Sequence, residues 1–584
     1  MANPVINTKK HQPAAHGGGV RGDNSAARSA LFEGRFGRLF RSLPAAEWPK
    51  DALLELGRKM TSDPEVDERD PRLPSASPET DKRVQDDEEN AGIPSGYTYL
   101  GQFIDHDITF DPASSLQQHN DPNALVDFRT PSLDLDSLYG HGPADQPYLY
   151  DGNKFRLGRP LFENDRPTSV RDLPRYTDPS NPQAPKRALI GDKRNDENVI
   201  IAQLHAAMLQ FHNKLVEQQP TAPFEDIQQC VRWHYQWIVV NDFLVKICGA
   251  SVVEDILPHL GKNQPIWKNL PRFAFFRWRN DPFMPVEFSV AAYRFGHSMV
   301  RPIYRLNTRL AGGADPNQAT EDEIRRGLAG RFFIFSGVQN RGLNGFDEFP
   351  KEWAIDWSLF FDIDDSIKNG GIKRVQPAYK IDTSLVNPLG FLPEFSKPAQ
   401  ALAGELTVAQ LQTAPVNPAM DPSNLAQRNL LRGMAMGLPS GQHVARAMGV
   451  EPIADKNLRV GKAVIDDWDK NPTLVSIHKC FEDNAPLWYY VLAEAQYEWI
   501  LRAKAEGGKG NEEPLRLGTV GGRIVAETLI GLLWADGHSY LRQAPNWKPD
   551  KIRSMGDLIS VALSEAPIKG CGQTDTEPLQ PERT

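Results

Sequence analysis

Residues 199–218 read VIIAQLHAAMLQFHNKLVEQ, and this stretch decides the fold class because its apolar side chains recur at positions 200, 204, 208, 211 and 215. Steps of three and four residues place those side chains on one face of an α-helix. A second stretch, 224–247, contains WHYQWIVVNDFLVKI and is apolar on most faces, which predicts a buried helix. Further helices are predicted over 322–335, 424–436, 484–503 and 520–534, whereas alternating strand patterns are scarce.

The predicted architecture is mainly α: one large helical domain with long irregular loops and little β-structure. Apolar residues make up 40% of the 584, which is ample for one sizeable core. The 47 prolines predict long irregular connections between the helices. We expect an extended, partly mobile N-terminal arm over 1–92, the helical domain over 93–565, and a polar C-terminal tail over 566–584.

Composition excludes several classes of protein. The net charge of -9 is spread along the chain without a basic stripe, so nucleic acid is not an expected partner. The four cysteines are scattered without any C-x-x-C pair, which argues against a disulfide framework and a structural zinc site. The sequence contains neither a signal-like apolar stretch at its start nor a run of 18 apolar residues. We expect no transmembrane segment and a cytoplasmic location by default, with signal-less export as the alternative; the oligomeric state stays open.

The segment GQFIDHDITF, residues 101–110, places a histidine between two carboxylates. On a helix, Gln102 and His106 are four residues apart and share a face, while Asp105 and Asp107 point elsewhere. The segment therefore offers a proton-accepting imidazole, a hydrogen-bonding neighbour and two acids for other partners. A satisfied histidine in a polar helix is the alternative reading.

The segment TPSLDLDSLYG, residues 130–140, carries oxygen-bearing side chains at every second position. In an extended or looping backbone, Thr130, Ser132, Asp134 and Asp136 can converge on one hard cation, and Asp107 would add a third anionic ligand. Calcium is the cation that such ligands favour. The alternative is a polar turn whose side chains bond their own backbone.

The segment GDKRNDEN, residues 191–198, precedes the helix at 199 and places Arg194 and Glu197 three residues apart. In a first helical turn these two would share a face, and an ordinary exposed ion pair is the alternative to a functional role.

The segment EFSVAAYRFGHSMVRPIYRL, residues 287–306, places His297 in an apolar, aromatic helix with Arg294 shortly before it. A buried imidazole needs a partner for each ring nitrogen. A metal on one nitrogen and an amide or carboxylate on the other would satisfy it, as in a proximal haem ligand. A core histidine bonded to a carbonyl is the alternative.

Taken in order, these four segments resemble the haem peroxidases of the peroxidase-cyclooxygenase superfamily, which includes the animal myeloperoxidase-like enzymes and bacterial relatives. The resemblance runs from about Tyr97 to Trp547 and includes NLLRGMAMGLP at 429–439 and TVGGRIVAETLIGLLWADGHSYL at 519–541. The ordered set is specific, and we expect a bacterial member of the group.

The resemblance implies a role for each matching residue. His106 corresponds to the distal histidine with Gln102 beside it, Arg194 to the distal arginine, and His297 to the proximal ligand of the haem iron. Asn429 matches the asparagine that accepts a hydrogen bond from the proximal imidazole. The remaining matches concern the haem periphery: ester bonds to haem methyl groups at Asp105 and Glu197, and contacts near the propionates at Arg294 and Arg432.

The activity implied is that of a peroxidase with haem b and structural Ca²⁺. Such an enzyme reduces hydrogen peroxide and, through a high-valent iron, oxidises halides, pseudohalides or small aromatic donors, as in a response to oxidative stress. His106 would act as base and then acid, which requires a neutral imidazole, and Arg194 would supply fixed positive charge.

Three departures from the animal pattern bear on this assignment. Asn198 stands in place of methionine, so the sulfur-linked haem bond of the myeloperoxidase branch cannot form. Ser132 replaces a phenylalanine whose ligand atom is a backbone carbonyl, and Asp136 replaces a serine and adds charge. Around Asn429, polar residues of the animal pattern become apolar.

Two other functions compete with the peroxidase. In cyclooxygenase-like fatty-acid dioxygenases a radical-forming tyrosine sits three residues before the proximal histidine, whereas here Arg294 holds that place and Tyr293 lies one residue earlier. The second competitor is a haem- or calcium-binding scaffold without turnover, which would need neither His106 nor Arg194. For His205 and His212, seven residues apart, core packing is favoured over a zinc site.

Overall fold

The computed structural model describes most of the chain between residues 34 and 574. The described residues are 34–62, 88–110, 126–127, 129–163, 166–262, 264–278, 281–308, 310, 330–335, 342–363, 375–390, 392, 422–506, 513–564, 571 and 573–574.

The described residues are mainly helical, which confirms the predicted fold class. In chain order the α-helices are α1 Lys50–Lys59, α2 Gly96–Ile108, α3 Asp136–Tyr139, α4 Val199–Gln218, α5 Phe224–Ile238, α6 Leu244–Cys248, α7 Ala250–Ile256, α8 Pro258–Lys262, α9 Leu425–Ala435, α10 Gly441–Ala447, α11 Leu474–Ile477, α12 Leu487–Ala505, α13 Thr519–Ala535, α14 Tyr540–Gln543 and α15 Met555–Leu563. Single π-helical turns cover Val239–Phe243 and Glu287–Ala291. The 3-10 segments that position the site are Lys193–Asp196 and Ala292–His297.

The β-strands are short and form small sheets. They are β1 Gly34–Gly37, β2 Glu89–Pro94, β3 Val126–Asp127, β4 Tyr150–Asp151, β5 Lys154–Phe155, β6 Pro160–Glu163, β7 Arg166–Arg171, β8 Met284–Pro285, β9 Ile303–Arg305, β10 Arg331–Phe333, β11 Pro377–Tyr379, β12 Trp547–Lys548 and β13 Gln573–Thr574. β1 pairs with β3 antiparallel and with β8 parallel, with Phe36 opposite Met284. Within the described chain, the other strands pair as two-stranded antiparallel ribbons.

Most predicted helices are confirmed and one is not. α4 has the predicted bounds, and α5, the π-turn and α6 continue through the predicted second helix. α9, α12 and α13 occupy the later three predicted stretches. The helix predicted over 322–335 is wrong where it can be seen: residues 331–333 form β10, antiparallel to β9, and residues 322–329 lie outside the described residues. Pairing with β9 favours the aromatic sequence RFF as a strand.

The segment 287–297, which carries His297, lies in the middle of the helical packing. α9, α12 and α13 all pack against it, and α2 packs against its 3-10 part. Trp488 on α12 donates from its indole Nε1 to the Arg294 carbonyl, 3.2 Å away. This position fixes one face of the segment against buried helices and directs the other toward α2.

Part of the predicted N-terminal arm is folded onto the domain. α1 packs against α9, where Gln427 donates to the Leu54 carbonyl at 2.8 Å, and Leu53 and Leu56 of α1 are fully buried. The backbone N–H groups of Leu39 and Phe40 donate to the buried carboxylate of Glu287, at 3.0 and 3.2 Å. Residues 34–62 therefore contact the segment that carries His297, although the sequence assigned them to an arm.

The cysteines form no disulfide framework among the described residues, but one pair is bonded. A disulfide joins Cys230 on α5 to Cys571, whereas Cys248 and Cys480 are free. The two partners are 341 residues apart in sequence, and the fold brings the segment after α15 back to α5. The spacing of the cysteines along the sequence does not predict a contact between residues so far apart.

Among the described helices, none combines the length and the apolar character that crossing a membrane requires.

Candidate active site

His106 lies near the carboxyl end of α2, where it is buried with 5% of its surface exposed. Its Nδ1 is 2.8 Å from Oδ1 of Asn195 in the 3-10 segment before α4. Burial, together with the positive charge of Arg194, lowers the pKa of His106 to about 4. The imidazole is therefore neutral at physiological pH, as a general base must be.

Glu197 lies beside the second ring nitrogen of His106 and is joined through Gln102 to Asn198, whose Nδ2 donates to Oε1 of Gln102 at 3.4 Å. Oε1 of Glu197 is 4.0 Å from Nε2 of His106 and also accepts a hydrogen bond from Nε2 of Gln102. Asn198 begins α4 as its N-cap, accepting the N–H groups of residues 200 and 201 at 3.1 and 2.9 Å. The predicted shared face of Gln102 and His106 is confirmed, since both side chains meet Glu197.

Arg194 is held by Asp192, a residue that the sequence analysis did not single out. Its Nε and Nη2 lie 3.2 and 2.8 Å from the two carboxylate oxygens of Asp192. Nη2 also donates to the carbonyls of His106 and Thr109, at 3.0 and 2.6 Å, and the guanidinium lies 4.7 Å from the Phe110 ring centroid. Although burial opposes it, the charges of Arg194 and Arg129 hold the pKa of Asp192 well below its usual range. Arg194 is thus fixed as a cation at the end of α2.

His297 ends its 3-10 segment and is bonded to Asn429 of α9, with 2.8 Å between Nδ1 and the amide Nδ2. The two ends of an asparagine amide exchange by a 180° rotation, so the same contact serves an Nδ1–H that donates to the amide oxygen. Burial, together with Arg294, lowers the pKa of His297 to about 3. Among the described residues, none hydrogen-bonds Nε2 of this imidazole, which leaves a neutral nitrogen as a ligand atom.

The two histidines lie on neighbouring elements. α2 packs against the segment 292–297, and the Tyr293 hydroxyl donates to the Gly101 carbonyl of α2 at 3.2 Å. Asp105, adjacent to His106, is half-buried and accepts a hydrogen bond from the Thr109 hydroxyl at 3.0 Å. The packing of α2 against the segment 292–297 therefore allows His106 and His297 to act from opposite sides of one site.

The arginines expected near the haem propionates occupy the two elements of the proximal side. Arg294 donates from Nε to the Ser289 carbonyl, 3.1 Å away within its own segment. Arg432 lies three residues after Asn429 on α9 and therefore shares its face. Their contacts with a haem stay predictions.

A cluster of three carboxylates lies on the other side of α2. One oxygen each from Asp107, Asp134 and Asp136 lie within 4.8 Å of one another. Burial raises the pKa values of all three acids, that of Asp134 to about 7, and repulsion adds to it: from the other cluster acids for Asp107, from Asp136 for Asp134, and from Asp192 for Asp136. Such repulsion is relieved by a cation, so the cluster is a candidate metal site.

The surroundings of the cluster differ from a simple calcium loop. Arg129 Nη1 lies 3.3 Å from Asp136 Oδ1, while Nη2 lies 2.6 Å from Asp192. Arg129 thereby links the cluster to the acid that holds Arg194, a connection that the sequence did not predict. Thr130 and Ser132 lie half-buried in the preceding loop, and their role as ligands stays a prediction.

His212 and His234 are buried and pack in the core, which for His212 is the reading that the sequence favoured. His212 contacts the Tyr139 hydroxyl and the Asn153 carbonyl, at 3.0 and 2.8 Å. His234 bonds the Cys230 carbonyl at 2.8 Å and packs edge-on against Trp547.

The comparisons with known proteins show what the chain resembles in sequence and in fold. Residues 113–327, less than half of the chain, match the sequence profile described as "Animal haem peroxidase". Over those residues the chain is similar to the animal haem peroxidase family. The matched stretch includes Asp134 and Asp136 of the carboxylate cluster, Arg194, Glu197 and His297, whereas His106, Asp107 and Asn429 lie outside it.

Individual relatives cover part of the chain. A peroxidase-like protein of Margaritifera margaritifera is 26% identical over 304 residues, covering 42% of this chain and 36% of the relative. Heme peroxidase 2 of Caenorhabditis elegans is 26% identical over 297 residues, covering 40% of each chain. The alignments thus span well under two thirds of these curated relatives. Among solved structures, peroxidase A from Dictyostelium discoideum superposes with a TM-score of 0.52 at 14% identity, covering 91% of this chain and 94% of the other, which shows the fold alone.

Proposed function

We propose that the chain is a haem-dependent peroxidase that reduces hydrogen peroxide and oxidises a small reducing substrate. One observation carries the proposal. His297 has Nδ1 occupied by Asn429 and Nε2 left for a metal, and its segment packs on the helix that presents His106. A core histidine without function would have both nitrogens satisfied by protein groups.

The residues present fit haem b. His297 would bind the iron through Nε2, and Asn429 would accept the Nδ1–H and so increase the basicity of the imidazole. When bound, the haem supplies the redox chemistry that accepts electrons from a donor and delivers them to peroxide. Arg294 and Arg432 would hold the propionates.

His106 would move the proton during peroxide cleavage. Its neutral Nε2 takes the proton from one peroxide oxygen and returns it to the other, so that water leaves. Gln102 and Glu197 lie beside this nitrogen and would orient the peroxide. Arg194, held by Asp192, would stabilise negative charge that develops on the leaving oxygen.

Ester bonds from Asp105 and Glu197 to haem methyl groups are part of the proposal. Both carboxylates flank His106, one by sequence and one by contact. Asn198, which follows Glu197, has no sulfur and caps α4, so a third link of the sulfur type is not expected.

Calcium is proposed for the carboxylate cluster of Asp107, Asp134 and Asp136, with Thr130 and Ser132 completing the ligands. Asp107 is adjacent to His106 on α2, so a bound cation would hold that helix in place. Its role would be structural.

The wider biology is proposed more coarsely. Halides, pseudohalides and small aromatic compounds all suit an oxidised haem as donors, and a role in the response to oxidative stress follows from that activity. The bacterial origin expected from the resemblance stays a prediction. The Cys230–Cys571 disulfide favours an oxidising compartment over the cytoplasm, which supports the export alternative.

The deciding experiment is a spectroscopic titration of the haem-loaded protein. Hydrogen peroxide should bleach or shift the Soret band, and iodide, bromide or a phenol added next should restore it with turnover. A scaffold would show no peroxide response. Oxygen uptake with linoleate in place of a donor would instead establish the fatty-acid dioxygenase, for which Tyr293, already bonded to Gly101, is the available tyrosine.

A further inference from the structure

Asn195 lies between two buried histidines and contacts both with its side-chain amide. Oδ1 is 2.8 Å from Nδ1 of His106, and Nδ2 is 3.0 Å from Nδ1 of His205 on α4. Asn195 and His205 are fully buried, and His106 nearly so. The three side chains therefore form a chain of hydrogen bonds, closed to solvent, that ends on the proposed catalytic base.

The two ends of an amide are chemically different, and this difference sets both imidazoles. The oxygen only accepts and the nitrogen only donates. In the amide orientation of the structure, Nδ1 of His106 carries a hydrogen and Nδ1 of His205 presents a lone pair; a 180° rotation of the Asn195 amide would exchange these assignments, so the hydrogen positions on the two rings distinguish the orientations. In neutral rings it follows that Nε2 of His106 has the lone pair, on the side of Glu197, while Nε2 of His205 carries the hydrogen.

His205 retains an unfavourable feature that packing alone does not explain. Among the described residues its buried Nε2 has no hydrogen-bond partner. An unsatisfied buried polar group is unfavourable, and a phenylalanine would fill similar space without that penalty. The ring packs edge-on to Phe103 of α2 with centroids 6.1 Å apart, and burial lowers the pKa of His205 to about 3, so the ring stays neutral as an acceptor.

We propose that Asn195 and His205 are positioning residues that fix the tautomer and ring orientation of His106, so that its Nε2 is always the proton-accepting atom. This inference rests on the proposed function, since it assigns a task to the partners of His106. Neither residue touches a substrate, and each acts through the next.

The first test reads the tautomers directly. Long-range ¹H–¹⁵N spectra of the full chain labelled at histidine, with haem bound in the diamagnetic ferrous carbon monoxide form, distinguish Nδ1–H from Nε2–H rings. We expect His106 to carry its hydrogen on Nδ1 and His205 on Nε2, with resonances assigned by their loss in His106→Ala and His205→Phe. In the wild-type protein, a hydrogen on Nε2 of His106 or on Nδ1 of His205 would overturn the inference.

The second test measures how fast hydrogen cyanide binds to the ferric haem-loaded protein at one neutral pH. His106 takes the proton as the anion binds, so the association rate reports the availability of Nε2 without turnover. Asn195→Leu should slow association about 10–100-fold, the range for residues that orient a functional imidazole. His205→Phe should slow it less, because Asn195 can then rotate.

Two further variants separate positioning from packing. His205→Asn places an acceptor oxygen where Nδ1 stood and should restore the rate that His205→Phe loses. His212→Phe removes another buried histidine of α4, bonded to Tyr139 and Asn153, and should leave cyanide association unchanged.

The outcomes keep this inference apart from the proposed function. If wild-type protein binds haem but shows no cyanide complex, the proposed function fails and this inference with it. If His106→Ala slows cyanide association while Asn195→Leu and His205→Phe match wild type, the proposed function stands and the positioning role is wrong. A His205→Asn variant as slow as His205→Phe would likewise contradict it.

Discussion

Asn429 and His297 are joined side chain to side chain, 2.8 Å between amide Nδ2 and ring Nδ1, although 132 residues separate them in the sequence. The contact couples α9 to the segment 292–297. Nε2 of His297 remains as a ligand atom for a metal. The basicity of Nε2 depends on the hydrogen bond that Asn429 makes with Nδ1.

Replacement of Asn429 tests this coupling. Asn429→Val removes the partner of Nδ1, so we expect haem affinity to fall about 10–100-fold and the reduction potential of the iron to rise. Asn429→Asp offers a charged acceptor and should lower the potential. Spectroelectrochemical titration measures the reduction potential of both variants. The control is Gln427→Leu on α9, the helix of Asn429; it removes an amide that donates to the Leu54 carbonyl of α1 and should leave the potential unchanged. Equal potentials in the Val and Asp variants would contradict the proximal role.

The pH dependence of the peroxide reaction follows from burial of His106. Its pKa is lowered from 6.5 to about 4, so the neutral base is present above that value and is lost as the pH falls through it. We expect the second-order rate with peroxide to be level from about pH 5 to 8 and to fall below pH 5. Stopped-flow measurements across this range check it, and a break near 6.5 would show a solvated imidazole instead.

The same shift makes a statement about stability. Between about pH 4 and 6.5, His106 is protonated in the unfolded chain and neutral in the folded chain. The contribution of His106 to the free energy of unfolding is therefore complete above 6.5 and is lost as the pH falls toward 4. In His106→Phe this acid-dependent loss should be smaller than in wild type, as measured by urea unfolding at each pH.

A bound cation should stabilise the fold through the carboxylate cluster. Addition of Ca²⁺ at about 100 times its dissociation constant should raise the free energy of unfolding by about 2.7 kcal/mol. Asp134→Asn removes one charge from the cluster and should weaken calcium binding, measured by calorimetry, whereas exposed Asp550→Asn should not. A melting temperature indifferent to calcium and to a chelator would argue that Arg129 alone balances these acids.

The disulfide gives a prediction that needs no haem. Alkylation of the denatured, unreduced chain should modify Cys248 and Cys480 alone, and reduction should expose two further thiols. Cys571→Ser should lower the free energy of unfolding by about 2–5 kcal/mol, because it releases a long loop. Cys480→Ser is the matched control and should unfold like wild type. Four reactive thiols without reductant would contradict the pairing.

The sequence predicted what periodicity controls. α4 was foreseen to the residue because its apolar spacing is regular and Asn198 caps it. β10 was missed since a short aromatic run reads as helix or strand until its partner, β9, is known. The paired positions of His297 and Asn429 came from the resemblance, because no rule of spacing relates residues so far apart.

The contacts around His106 show the same limit at closer range. Asn195 and His205 are ten residues apart, but Asn195 precedes the N-cap of α4, so helical periodicity does not relate them. Asp192 and Arg129 were not singled out because each is an ordinary charged residue in the sequence. Their importance comes from the fold, which places Asp192 between the guanidinium groups of Arg129 and Arg194.

The backbone N–H groups of Leu39 and Phe40 donate to Glu287, and these hydrogen bonds limit how far the chain can be shortened at its amino end. A shortened chain that began after residue 40 would lack both of these partners of the buried Glu287 carboxylate, ten residues before His297, the residue proposed to bind iron. In such a chain we expect the segment that carries His297 to be displaced. Loss of haem colour after the amino end is trimmed would then report the loss of these hydrogen bonds, and it would not show that the full chain lacks haem.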